Sequence, residues 1–120
     1  MASAEDIEQI IVIEFVKQIA RVPVFHIANQ RQTSPQHGSM LKRMGVLAGV
    51  SDLFFPRENE LYKGMFIEMK SLIGKPTILQ LQFLDDMRAE GYMGIVANGS
   101  QDAINCIVDF YNLPIRYKKQ

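Results

Sequence analysis

The sequence predicts one α/β domain in which a mixed β-sheet is flanked by helices, in the order helix, strand, strand, strand, helix, strand, helix. Three stretches free of Gly and Pro repeat apolar residues at helical spacing. Between them lie apolar runs of strand length bounded by Pro, Gly and polar residues. The size agrees: 120 residues, 48% of them hydrophobic, make one globular domain that removes roughly 65% of its unfolded surface from water. A single domain over residues 1–120 is therefore expected.

The first helix is expected from Glu5 to Ala20, where Ile7, Ile11, Phe15 and Ile19 recur at helical spacing, flanked by Val12 and Val16. Glu14, Lys17, Gln18 and Arg21 gather on the opposite side. Glu5 and Glu8 project into the apolar face, an unexpected place for two carboxylates on a merely structural helix. Val22 to Ala28 reads as a strand that Pro23 confines to an edge or a strand start. Asn29 to Ser39 is polar, holds Pro35 and Gly38, and reads as a loop. A short helix carrying Lys42 and Arg43 follows over Met40 to Leu47. Gly49 to Phe55 leads into a strand that stops at Pro56, and Gly64 to Lys70 forms its hairpin partner. Pro76 and Thr77 open a helix that runs to Glu90 and is closed by Gly91, with Thr77 as N-cap. Tyr92 to Ala97 is a strand, Asn98-Gly99 a turn, and Ser100 the N-cap of a last helix that ends before Pro114.

Composition excludes several classes of function. One cysteine, Cys106, rules out an internal disulfide framework, and with only His26 and His37 beside it no structural zinc site is recognisable. A reducing, cytoplasmic setting is expected. The longest apolar run, Ile10 to Ile13, is far too short to span a membrane, and Met1 to Asp6 lacks the basic start of a signal peptide. The 13 basic and 13 acidic residues cancel, yet from Phe15 to Ser51 there are five Lys or Arg residues and no carboxylate. Arg116, Lys118 and Lys119 add a basic tail. Local basic patches on a neutral domain suit a phosphate-bearing ligand, because binding follows the local field.

The candidate chemistry lies on the hairpin. Strand alternation puts Glu68 and Lys70 on one face and Met65, Ile67 and Met69 on the other. If Asp52 on the neighbouring strand comes alongside Glu68, two hard carboxylate oxygens converge in a way that suits Mg²⁺ or Mn²⁺. Lys70 then stands beside them as a cation, a grouping suited to phosphodiester hydrolysis. On those residues alone, an ordinary solvated Glu-x-Lys ion pair is the competing explanation. Gln80 falls within the apolar stripe of its helix, which fits either a site role or a capping box, Thr77-x-x-Gln80.

The ordered set Gly45-x-x-x-Gly49-x-x-Asp52, Phe66-Ile67-Glu68-x-Lys70, Gly74-Lys75, Gln80 and Gly91-Tyr92 resembles the VRR-Nuc domain, the virus-type replication and repair nuclease branch of the PD-(D/E)XK superfamily. Asn29 after Phe25-His26-Ile27, and Glu5-x-x-x-Gln9 with Val12-Ile13-x-Phe15, extend the likeness over nearly the whole chain. The resemblance implies a small restriction-endonuclease-like core and a Mg²⁺- or Mn²⁺-dependent nuclease. Asp52 and Glu68 would hold the ion with the Met69 carbonyl, Lys70 would act at the attacking water or the phosphate, and Gln80 would assist. The helix carboxylate falls on Glu5 by its spacing to Gln9 or on Glu8 by its place on the apolar face. The family's Pro before the aspartate is Ser51 here, a change expected to alter the turn more than the chemistry.

Stand-alone members of this family resemble homodimeric resolvases that cut four-way (Holliday) DNA junctions in recombination and repair, which points to a bacteriophage or bacterial host. Asn29, Arg31, His37, Lys42, Arg43 and Lys75 are the expected DNA contacts, reading shape more than sequence, with ordinary solvated charge as the alternative for each. A nuclease or nickase acting on flaps, and a non-catalytic DNA-binding subunit, are the rival functions. Gly74-Lys75-Pro76-Thr77 is not a nucleotide-binding loop, because Met69 stands at the first glycine position and Pro76 separates Lys75 from Thr77. Asn98-Gly99-Ser100 reads as a turn and cap, and Cys106 as a small core residue.

Overall fold

A computed structural model of the chain describes residues 2–28 and 34–114. Helix α1, Ala4–Phe15, opens with a capping box: the Ser3 hydroxyl accepts from the Asp6 N–H, and the Asp6 carboxylate accepts from the Ser3 N–H. It runs into a wider π-helical turn, Val16–Ala20, which Arg21 ends in the left-handed region at φ 54°. Strand β1 is Phe25–His26, helix α2 is Pro35–Arg43, and strands β2, Leu53–Phe55, and β3, Met65–Lys70, follow. Helix α3, Ile78–Ala89, strand β4, Met93–Asn98, and helix α4, Ser100–Phe110, complete the order.

The sheet runs β1-β2-β3-β4. β2 pairs antiparallel with both β1 and β3, whereas β3 and β4 are parallel, from Met65 opposite Met93 to Lys70 opposite Asn98. The α/β class and the mixed sheet expected from the sequence are therefore present. Alternation sends Leu53, Phe55, Met65, Ile67 and Met69 to a main core, where Val12, Phe15 and Val16 of the first helix and Ala103, Ile104, Ile107 and Phe110 of α4 cover them. On the opposite face Phe66 packs with Phe83 and Leu84 of α3, and Phe54 stacks on Phe66 with ring centroids 4.4 Å apart. Glu68 and Lys70 share the α3 face, at the carboxyl end of β3. Among the described residues no helix is long and apolar enough to cross a membrane.

Four local expectations are corrected. The buried stripe of α1 and the π turn runs through Val12, Phe15 and Val16, while Ile7, Ile11 and Ile19 are about half exposed. The helix is rotated so that Glu5, Glu8 and Gln9 face the sheet end, and the π turn shifts the period before Ile19. β1 is two residues long, not seven, since Pro23 has no N–H for a ladder; one more bond, from Ile27 N–H to the Asp52 carbonyl at 2.8 Å, prolongs the pairing. The basic helix is Pro35–Arg43 and not Met40–Leu47: Ser34 caps it and Pro35 occupies the first turn, where proline opens helices. The helix expected between the first and second strands is thus present but starts and ends earlier. Lastly, Gly99 at φ 93° is the N-cap of α4, and Ser100 is its first helical residue.

The segment before β2 is irregular up to Ser51, so that strand is shorter than expected. Gly49 shows why: its φ is +90°, and a Cβ there would lie 2.6 Å from the backbone carbon and oxygen of Leu79. Only glycine lets this turn approach the first turn of α3 so closely. The contact brings Asp52, three residues later, to the level of Gln80.

Candidate active site

Asp52 immediately precedes β2 and Glu68 lies near the end of β3, so the antiparallel register sets them beside each other. Asp52 Oδ2 accepts from the Met69 N–H at 2.8 Å. Glu68 Oε2 accepts from Gln80 Nε2 at 3.1 Å and lies 3.6 Å from Lys70 Nζ. Glu68 is only 1% exposed, and its Oε1 has no donor among the described residues. From α1, Glu5 completes the group: one carboxylate oxygen each of Glu5, Asp52 and Glu68 lie within 4.8 Å of one another.

Burial first, then the hydrogen bond and the negative charge of Asp52, push the Glu68 carboxyl up from 4.5 to about 8, against the pull of Lys70; the charge of Glu5 adds a smaller push upward. Without a cation, Glu68 therefore keeps its proton well above the usual carboxylate range; once it ionises, the buried Oε1 is left with nothing to bind. A small divalent cation answers both features, since it replaces the proton and gives the buried oxygen a partner. The donors are all hard oxygens, which suits Mg²⁺ or Mn²⁺ and not a thiophilic metal. The Met69 carbonyl opens on the same side: Lys70 C=O accepts from Gly99 N–H toward α4, whereas the Met69 backbone faces Asp52, and one strand residue directs its N–H and C=O alike.

Gln80 makes both contacts that its sequence position allows. Its Oε1 accepts from the Thr77 N–H at 2.8 Å as a capping box, and its Nε2 reaches Glu68. The helix cap thus sets the angle at which the amide meets the carboxylate. Glu5 and Glu8, equivalent by sequence, part company here. Glu8 turns to α4, where its Oε1 accepts from the Ser100 N–H at 3.1 Å and its Oε2 from the Ser100 hydroxyl at 3.5 Å. A carboxylate at that point caps the helix and complements its dipole.

A cleft of about 580 Å³ opens at the site, lined among others by Glu5, Gln9, His26, Lys42, Asp52 and Gln80. Of the expected DNA contacts, Lys42 is at the cleft, His37 and Arg43 are exposed on α2, and Lys75 is exposed before α3. Asn29 and Arg31 lie outside the described residues, as does the basic tail after Pro114. Sequence reasoning assigned no role to Gln9 or His26 in the cleft wall; the i, i+4 spacing of Gln9 from Glu5 was the available signal.

A buried carboxylate pair joined by a lysine at the end of a mixed sheet defines the class, a nuclease-type α/β domain. No protein-family model and no curated protein matches the chain by sequence. Among solved structures, a VRR_NUC domain protein superposes with a TM-score of 0.72 over 94% of this chain and 92% of that one, at 26% identity. The chain has the VRR-Nuc fold, as its motifs led one to expect.

Proposed function

We infer that this protein is a Mg²⁺- or Mn²⁺-dependent endonuclease that hydrolyses phosphodiester bonds in branched DNA, as a homodimer that resolves four-way junctions. The observation that carries this reading is the buried Glu68 carboxylate, one oxygen without a donor, set against Asp52 and Glu5 and beside Lys70. Asp52, Glu68 and Glu5, with the Met69 carbonyl, are the residues that would hold the ion. The chemistry that such an ion would supply there is Lewis-acid polarisation of a phosphoryl oxygen and activation of water near neutral pH. Glu68 must give up its proton for the ion to bind, and Gln80 keeps its carboxylate oriented. Lys70 Nζ, next to Glu68, neutralises negative charge that grows on the phosphate. Lys42 at the cleft, with Arg43, His37 and Lys75, supports backbone contacts to DNA, and the VRR-Nuc likeness supports nucleic acid as the substrate.

The test compares labelled four-way junction, flap and linear duplex DNA, with the size of the protein in solution measured alongside. Paired, symmetric nicks across the junction by a dimer are expected. Cleavage of flaps with junctions left intact would replace the resolvase by a flap nuclease. Junction binding with no cleavage under any divalent metal would make the chain a non-catalytic DNA-binding subunit.

A further inference from the structure

The Asp52 main-chain carbonyl accepts twice. One donor is Ile27 N–H, the other His26 Nδ1, each at 2.8 Å. A carbonyl only accepts, so His26 Nδ1 carries the proton. The Gln9 carboxamide lies 3.2 Å from that same nitrogen. An Nδ1 that already donates has no lone pair to offer, so it is the carboxamide oxygen, after a half-turn of the amide, that suits this place as a second acceptor. Gln9 follows Glu5 by one helical turn on α1, and both side chains line the cleft with His26 and Asp52.

These contacts tie two separate walls together. Glu5 is carried by α1, and Asp52 by the segment leading into β2. With Glu68 of β3, they bring three carboxylate oxygens within 4.8 Å of one another, a spacing that depends on how the two walls are held. β1, with two residues, is a slight brace between them.

We propose that Gln9 and His26 form a strut across the cleft that holds the α1 wall against Asp52, making them positioning residues for the metal ligands. The proposal rests on the metal-dependent reading given above. A strut of this kind acts on ion affinity by keeping ligands in place before binding, as outer groups around metal ligands do at about 10-fold or more each.

The experiment is calorimetric titration of Mn²⁺ into wild type, Gln9→Ala, His26→Ala, the double variant, His26→Asn and Glu68→Gln, with circular dichroism and melting of each without metal. The strut predicts about 10-fold weaker Mn²⁺ binding for each alanine variant. It also predicts a double variant no weaker than the weaker single, because either loss breaks the same link. His26→Asn, which keeps an N–H donor near the Nδ1 position, retains most of the affinity. Unchanged affinity in the single variants, losses that multiply in the double, or an Asn variant as weak as Ala would each overturn the strut. If wild type itself binds no Mn²⁺, or binds it no better than Glu68→Gln, the metal-dependent reading falls and the strut with it.

Discussion

Replacing Glu68 by Gln, in protein stripped of metal by a chelator, isolates the energetic signature of the site. The folded carboxyl titrates near 8 against 4.5 for the ordinary group. Below pH 4.5 both folded and unfolded chains hold the proton, and the stability it contributes is fully present. Above that value the unfolded chain releases it and the folded chain does not, so each further pH unit costs about 1.4 kcal/mol of stability until the folded group also ionises near pH 8. The whole interval is worth at most about 5 kcal/mol, the upper bound for a carboxyl that shares its surroundings with Asp52. That is comparable with the entire stability of many small domains. Gln keeps the size of the side chain, offers an amide hydrogen in place of the carboxyl proton and does not titrate, so it is the matching control. Urea unfolding from pH 5 to pH 9 should show the E68Q variant gaining on wild type by about 1.4 kcal/mol per unit up to pH 8 and no further. Saturating Mn²⁺ should restore wild type at pH 8 and leave the variant unmoved. Parallel curves for the two proteins would refute the reasoning, since they would mean that Glu68 ionises at its ordinary value despite burial.

Four further substitutions probe the surroundings. Glu8→Ala removes the acceptor of the Ser100 N–H and should cost about 1 kcal/mol in urea unfolding with Mn²⁺ affinity unchanged. Glu5→Gln should show the reverse selectivity, weakening Mn²⁺ about 10-fold or more by calorimetry. Gly49→Ala places a Cβ 2.6 Å from the Leu79 backbone at a positive φ, so a loss of about 3 kcal/mol and a lower melting temperature are expected. Ser51 is fully buried and its hydroxyl has no partner among the described residues, so Ser51→Ala should leave stability unchanged or raise it by about 1 kcal/mol.

What could be read from the sequence was whatever covalent geometry dictates. The two-residue period of a strand places Glu68 and Lys70 together and Met65, Ile67 and Met69 on the core side without reference to anything distant. The Thr77 capping box is likewise a local pattern. The rest depends on neighbours. Glu5 and Glu8 occupy one helix face, and only the position of the α4 N-terminus, delivered by β4, draws Glu8 away and leaves Glu5 with Asp52 and Glu68. Ile7 and Ile11 form a convincing apolar stripe, yet α1 is rotated because its first turns lie over the polar end of the sheet. Pro35 sits in a stretch whose composition suggests a loop, although at the first turn of a helix proline is compatible with helical geometry. Gln80 posed a choice between cap and site; its two-ended amide makes one contact toward each, the oxygen to the Thr77 N–H and the nitrogen to Glu68.

The central claim is metal-dependent hydrolysis at this carboxylate cluster. Incubating wild type, Glu68→Ala and Lys70→Ala with end-labelled junction DNA, in Mg²⁺ or Mn²⁺ and in chelator, tests it most directly. The account predicts cleavage by wild type only with metal, and loss of cleavage in both variants while they remain folded and still bind DNA. Cleavage that survives in chelator, or in both variants with metal, would contradict it.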